Sequence, residues 1–269
     1  MTRVLITGAA GLIGRSLRAA LRGVYDELRL ADIAPQAPAG AGETVLHTDI
    51  REIGSLEAAM ASVDCVVHLA GIPVEGPWET VRDLNIDGCY NAFEAARRQG
   101  VKRFVFASSN HAVGFHPRAK TLDSSVLPRP DTRYGASKVF GEALGRLYAD
   151  KHGMSVACLR IGTFRDPDEP SEARQLLSWV SHRDLAQLVR CCIDHPDYHF
   201  LVAYGVSGNQ RSRWSNADVD FLGYRPQDDS ERFAPAILAK GHIEDPIAAR
   251  FHGGFFCPLE FDGDVDLID

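Results

Sequence analysis

The chain has 269 residues, 45% of them hydrophobic and 24% charged, with a formal net charge of -7. That length buries a large core and suits one α/β domain with a modest appendage, and the composition is that of a soluble globular protein. The negative balance argues against a nucleic-acid partner, which calls for a basic face, but leaves room for a small anionic substrate needing one or two well-placed cations.

The opening run Met1-Thr2-Arg3-Val4-Leu5-Ile6-Thr7-Gly8 reaches glycine too soon for a secretory leader. No apolar run approaches the ~20 residues of a membrane span. The six cysteines, Cys65, Cys89, Cys158, Cys191, Cys192 and Cys257, form no C-x-x-C pair, and four of them lie in apolar runs. They read as buried free thiols, and the protein as cytoplasmic.

Residues 4–7 read as a first strand, followed at once by Gly8-Ala9-Ala10-Gly11-Leu12-Ile13-Gly14 and a helix over 13–21 that stops at Gly23. Glycines at that turn let the chain fold back tightly, bring backbone N–H groups to a pyrophosphate and pack helix on strand. Gly8, Gly11 and Gly14, with Leu12 and Ile13, are therefore candidate dinucleotide contacts, although the spacing is G-x-x-G-x-x-G rather than G-x-G-x-x-G. A second strand over 28–31 ends at Asp32, 18 residues past Gly14, where an acid holds both ribose hydroxyls and repels a 2′-phosphate. NAD is favoured over NADP; the bland alternative for Asp32 is a turn cap. Asp49 and Ile50 close a third strand over 45–48 and suit either an adenine contact or an ordinary helix start.

A helix over 56–61, a strand over 65–70, a helix over 84–98 and a strand over 104–108 continue the alternation. A long helix over 134–151 ends at Gly153, and a strand over 156–161 follows. Apolar strands alternating with amphipathic helices predict a doubly wound parallel sheet of Rossmann type. Within the long helix, Tyr134 and Lys138 stand at i and i+4 and share a face. A nearby ammonium favours phenolate, so Tyr134 is expected to titrate below the usual ~10 and to act as an acid/base. Beyond residue 161 come a polar loop over 165–170, a helix near 185–193 that Ser181-His182-Arg183-Asp184 starts, and a strand over 200–204 expected to return to the sheet. Short elements and loops follow, and the last ten residues, five of them acidic, read as a solvated tail. The division expected is 1–164 for the nucleotide and 165–269 for a small substrate-binding region. The ten histidines show no H-E-x-x-H or clustered acids, and no catalytic metal is expected.

The glycine turn at 8–14, His68-Leu69-Ala70-Gly71, Asn85 in Leu84-Asn85-Ile86-Asp87-Gly88, Ser108-Ser109 and Tyr134 with Lys138 occur in that order. Over residues 3–205 they resemble the extended short-chain dehydrogenases. The resemblance implies that Ser109 hydrogen-bonds the reacting oxygen, Tyr134 exchanges its proton, and Lys138 binds the nicotinamide ribose. It places Leu69, Ala70, Gly71 and Asn85 at the cofactor, with Asn85 also open to a bracing role and His68 to the core. Only about 65 residues follow the 200–204 strand, too few to grip a second nucleotide, which favours a compact sugar.

Closer likeness is to the uronate dehydrogenases. It lies in Ala107-Ser108-Ser109-Asn110-His111, Gly71-Ile72-Pro73-Val74-Glu75, Arg160-Ile161-Gly162-Thr163, and Arg174 before Leu177-Ser178-Trp179. This implies oxidation of galacturonate or glucuronate at C1 to the aldarolactone with hydride passing to NAD. Asn110 and His111 would hold sugar hydroxyls and Arg174 the carboxylate, for which a guanidinium fork is suited. Arg165 is set aside because Asp166 and Asp168 are expected to compete for it. Pro73 and Thr163 stand where the pattern has serine, so one hydroxyl is lost and one is kept with an added methyl. A homo-oligomer and a small sugar-acid substrate are the expected partners. The alternatives are a nucleotide-sugar epimerase or dehydratase, and a non-catalytic dinucleotide sensor.

Overall fold

A computed structural model describes residues 2–241 and 243–268. Strand β1 (Arg3–Thr7) leads into helix α1 (Leu12–Leu21); β2 (Glu27–Asp32), β3 (Glu43–His47), α2 (Ile53–Met60) and β4 (Cys65–His68) follow. Then come α3 (Trp78–Val81), a π-helical turn (Arg82–Asp87), α4 (Gly88–Arg98), β5 (Arg103–Ser109), α5 (Arg133–His152) and β6 (Ser155–Ile161). The last third contains α6 (Gln175–Ser178), α7 (His182–Asp194), β7 (Phe200–Gly205), α8 (Ala234–Leu238) and α9 (Pro246–Arg250). All seven strands are parallel in the order β3-β2-β1-β4-β5-β6-β7.

The side-chain period of two sorts each strand between two cores. Val4, Ile6, Val105 and Leu159 face one side, where Leu17 and Leu21 of α1 meet Leu185, Leu188 and Val189 of α7. Leu5, Phe104, Phe106 and Val156 face the other, under Leu56 of α2, Phe93 of α4 and Tyr148 of α5. With both faces covered, the carboxyl ends of the strands open onto one crevice. Strand order reverses at β1, between β2 and β4, where α/β sheets of this kind take a ligand.

The π-helical turn starts the predicted 84–98 helix early and rotates Asn85 inward, where it is buried. Beside it, a buried ion pair joins layers. Arg160 of β6 donates to both oxygens of Glu142 on α5 at 2.9 Å, and Ser108 Oγ donates to Glu142 Oε1 at 2.6 Å. Glu142→Gln keeps one acceptor but leaves the guanidinium without its counter-charge. We expect a loss of ~2 kcal/mol, the range for hydrogen bonds to charged groups, seen as a Tm lower by about 5 °C. Thermal unfolding with an unchanged Tm would show that the pair contributes nothing net.

Candidate active site

The strand ends and the loops above them enclose a cavity of about 870 Å³, at the upper end for a small-molecule site. Its first wall is the turn between β1 and α1. Gly8 has φ +70°, and a Cβ there would lie 2.7 Å from Ala70 N; a Cβ on Gly14 would lie 2.4 Å from Gly8 O. Only glycine lets the turn pack this tightly. Gly11 caps α1 with no side-chain bond, so the helix N-terminus stays open to the cavity that Gly8, Gly11, Leu12, Ile13 and Gly14 line.

Asp32 lines the same wall. Its Oδ2 accepts from Ala10 N at 2.9 Å and its Oδ1 from Ala34 N at 2.8 Å. It is thus both a turn cap and a cavity carboxylate, held in place by backbone donors. Asp49 also reaches the cavity but pairs with Arg51 at 2.5 Å, whose hydrogen bond holds its carboxyl below the usual range. Ile50, Leu69, Ala70 and Gly71 complete this end. Asn85 does not line the cavity. Its amide accepts from Ile72 N at 2.9 Å and donates to Ile72 O and to Ser137 Oγ, each at 3.1 Å. These bonds make it a brace between the β4 loop and α5, because every amide group that could meet a ligand is already engaged by the protein.

The second wall carries Ser109, Tyr134 and Lys138. Thr132 caps α5 by accepting from Gly135 N at 3.0 Å, which puts Tyr134 in the first turn and Lys138 one turn on. Lys138 Nζ donates to Ala107 O at 2.9 Å and lies 5.5 Å from the Tyr134 ring centroid. Burial pushes the Tyr134 phenol up to about 12, against the lowering effect of the Ser109 hydroxyl, and brings the Lys138 ammonium down to about 8. The expected fall of the tyrosine towards neutrality does not occur in the protein alone. Both groups are enclosed, and burial disfavours the charged form of each.

The third wall holds Asn110, His111, Thr163 and Arg174. His111 Nδ1 lies 2.6 Å from Asp131 Oδ2, and Thr163 Oγ1 lies 2.7 Å from Ser178 Oγ. Arg174 donates through Nε and Nη2 to His252 O at 3.1 and 2.8 Å. With its amide oriented to satisfy both ends, Asn110 accepts from Arg174 Nη2 at 3.0 Å and donates to Ile161 O at 3.1 Å. Arg174 is buried and forms no ion pair among the described residues; burial lowers its pKa.

The model of the NAD dependent epimerase/dehydratase family matches residues 4–187. The uronate dehydrogenase of Agrobacterium fabrum is 42% identical, covering 95% of this chain and 97% of that protein. The NAD-dependent glucose-6-phosphate dehydrogenase of Haloferax volcanii is 40% identical, covering 86% and 95%. A mutant uronate dehydrogenase of Agrobacterium tumefaciens, in a crystal structure with NAD, aligns at TM-score 0.91 and 40% identity over 98% of each chain.

The chain belongs to the NAD dependent epimerase/dehydratase family. The likeness to uronate dehydrogenases continues past the end of the family match, into the C-terminal third. There the structure adds residues to this epimerase/dehydratase-family site that the sequence reading passed over. Phe255 lines the cavity, and the Phe256 ring packs edge-on against His111 at 4.0 Å between centroids. Glu75 accepts from Tyr134 N at 2.9 Å and from Arg133 Nε at 2.6 Å, docking the 72–77 loop on the start of α5. No periodic pattern marks these positions; Glu75 lies within a motif noted for likeness alone.

One further expectation is corrected. Arg165 is not captured by Asp166 or Asp168: among the described residues it forms no ion pair, and it lines the cavity with its Nε buried and unbonded. Asp168 Oδ2 instead accepts from His182 N at 3.0 Å. The acidic tail is largely exposed, as expected, with surface pairs from Glu260 to Arg133 at 2.8 Å and from Asp266 to Arg250 at 2.7 Å. Pro73 lines the cavity and brings no hydroxyl. His68 stays in the core, 2.7 Å from Thr7 Oγ1, with burial taking its imidazole down to about 3.

Proposed function

We propose that this chain is an NAD-dependent uronate dehydrogenase that oxidises C1 of galacturonate or glucuronate to the aldarolactone. The observation that carries the reading is Arg174, a buried guanidinium with no carboxylate partner among the described residues, in the cavity that Ser109, Tyr134 and Lys138 also line. A buried charge without a direct partner is costly, and an anionic substrate lowers the cost.

The glycine turn, the open N-terminus of α1 and the Asp32 carboxylate fit a dinucleotide, with Asp32 on the ribose hydroxyls. Bound there, NAD supplies the acceptor for hydride from C1. Ser109 hydrogen-bonds the C1 oxygen. Tyr134 Oη takes the hydroxyl proton as the C1–H bond gives up its electron pair, so a C=O bond forms and one proton is released. Lys138 holds the nicotinamide ribose and offsets the phenolate. Asn110 and His111 meet sugar hydroxyls, and Thr163 stands beside them. Within this reading, residues 1–164 hold the cofactor and 165–269 supply Arg174 and the aromatic cover. The reading includes a cytoplasmic homo-oligomer. The free state of all six cysteines supports the compartment, and the exposed Tyr90 of α4 and Leu147 of α5 support self-association.

The test is NADH absorbance from purified protein with NAD and a panel of galacturonate, glucuronate, galactose and glucose 6-phosphate. NADH should accumulate with the uronates, whereas an epimerase would return its hydride and show no net reduction. No NADH from either uronate overturns the reading. The same assay should show a strong preference for NAD over NADP, narrowed by Asp32→Ala; equal efficiency with both in the unmutated protein would remove Asp32 from its role.

A further inference from the structure

Behind the sugar-facing wall lies a carboxylate that the mechanism above does not use. Asp131 precedes Thr132, the cap of α5, and its side chain is 0% exposed. Its Oδ1 accepts from Thr132 Oγ1 at 3.1 Å, and its Oδ2 lies 2.6 Å from His111 Nδ1. Room for it is made from two distant segments. A Cβ on either Gly114 or Gly253 would lie 1.9 Å from Oδ2, and these glycines are joined by a Gly253 N to Gly114 O bond of 2.8 Å. The Phe256 ring backs the imidazole, and the His111 backbone N–H is held by Ser109 Oγ at 3.2 Å.

An ionised carboxylate only accepts hydrogen bonds, so the proton between the two groups sits on Nδ1. The lone pair is then on Nε2, which bonds to no described residue while His111 lines the cavity. Burial holds the His111 pKa below its ordinary value, against the opposing effect of Asp131, and so keeps the ring neutral at physiological pH. Asp131 also favours the charged form of Arg174 from beyond ion-pairing distance. The carboxylate therefore faces the substrate wall through His111, with no cavity surface of its own.

We propose that Asp131 is a positioning residue that fixes the orientation and tautomer of His111, so that Nε2 accepts a hydroxyl hydrogen of the sugar acid. The hydroxyl partner rests on the uronate reading; the Asp131–His111 coupling does not. A double-mutant cycle tests it, with Asp131→Asn, His111→Gln and the pair, using kcat/KM for galacturonate and direct binding of NAD. Asp131→Asn should lower kcat/KM by roughly 10–100-fold, the scale seen when a metal-ligating histidine loses the partner that orients it, mostly through KM. The NAD Kd should be unchanged. In the His111→Gln background the same substitution should cost less than about twofold, because coupled residues are not additive. An equal cost in both backgrounds overturns the proposal.

A second measurement needs no variant. Nitrogen-15 NMR of the full chain should find the His111 ring with its proton on Nδ1; a ring protonated on Nε2 overturns the proposal even if Asp131→Asn fails to fold. If neither galacturonate nor glucuronate is oxidised by the unmutated protein, the uronate reading fails, and the tautomer still decides whether Asp131 sets His111.

Discussion

Tyr134→Phe should lower turnover by ~10²–10⁴-fold, about 3–5 kcal/mol of barrier, while NAD binds nearly as before. The substitution removes one oxygen from a buried ring whose outline Phe reproduces. The neighbours that set its position, Glu75 at the backbone N–H and Thr132 at the helix cap, contact main chain and are untouched. What is lost is the group proposed to take the C1 hydroxyl proton. Lys138 is a poor substitute because its Nζ is directed to Ala107 O, and the Ser109 hydroxyl is not a base of the needed strength. The pH dependence adds an independent check. Burial pushes the phenol up to about 12, so at neutral pH the acid form prevails in the protein alone, and the unmutated rate should climb with pH as phenolate forms. Residual activity in Tyr134→Phe should lack that climb. A variant retaining more than about a tenth of the activity would mean that another residue is the base.

The parts of this architecture that were legible from sequence are those that depend on short-range chemistry. Seven apolar runs and the helices between them carry their own periods, and the glycine turn announces a close approach of backbone to backbone. Tyr134 and Lys138 are one helical turn apart, so their shared face follows from the helix alone. The geometry at the far wall is of another kind. Asp131 sits just before a helix cap, where an acid is unremarkable, and its meaning comes from Gly253, more than a hundred residues on. Phe255 and Phe256 belong to a segment without periodicity, and its place is set by backbone bonds such as His252 N to His116 O at 3.0 Å.

Lys138 was expected to draw the tyrosine down, and Arg165 to be captured by neighbouring acids. Both expectations take charges at their sequence separation; one leaves out burial and the other the path of the loop. In the fold, burial is the largest influence on the Tyr134 phenol and raises its pKa, and the 165–170 loop turns Asp168 towards the N-terminus of α7 instead of towards Arg165. Asn85 is the converse case, a residue of a binding-family motif whose amide the protein has already satisfied.

Arg174→Ala should cost ~2–5 kcal/mol in catalytic efficiency with galacturonate and glucuronate, the range for losing one partner of a buried charge pair. A hexuronate entering this cavity must leave water, and its carboxylate needs a cation there. Arg174 is held ready by bonds that leave part of the guanidinium available. Its Nε and Nη2 are engaged by His252 O, Nη2 also meets Asn110, and Nη1 bonds to no described residue. On the proposed reading the carboxylate would be met from the Nη1 side, which the bonds at Nε and Nη2 leave available. Arg174→Lys should recover only part of the loss, because an ammonium cannot hold His252 O and the substrate in the same plane. Galactose, which lacks the carboxylate, should be a poor substrate of the unmutated protein and lose little further in the variant. The ratio of efficiencies for galacturonate and galactose, measured in both proteins, isolates the carboxylate. Arg165 is the natural control, since it lines the same cavity with an unbonded Nε. If Arg174→Ala leaves the ratio unchanged and Arg165→Ala collapses it, the carboxylate is read by Arg165, and Arg174 serves only to anchor the C-terminal segment through His252.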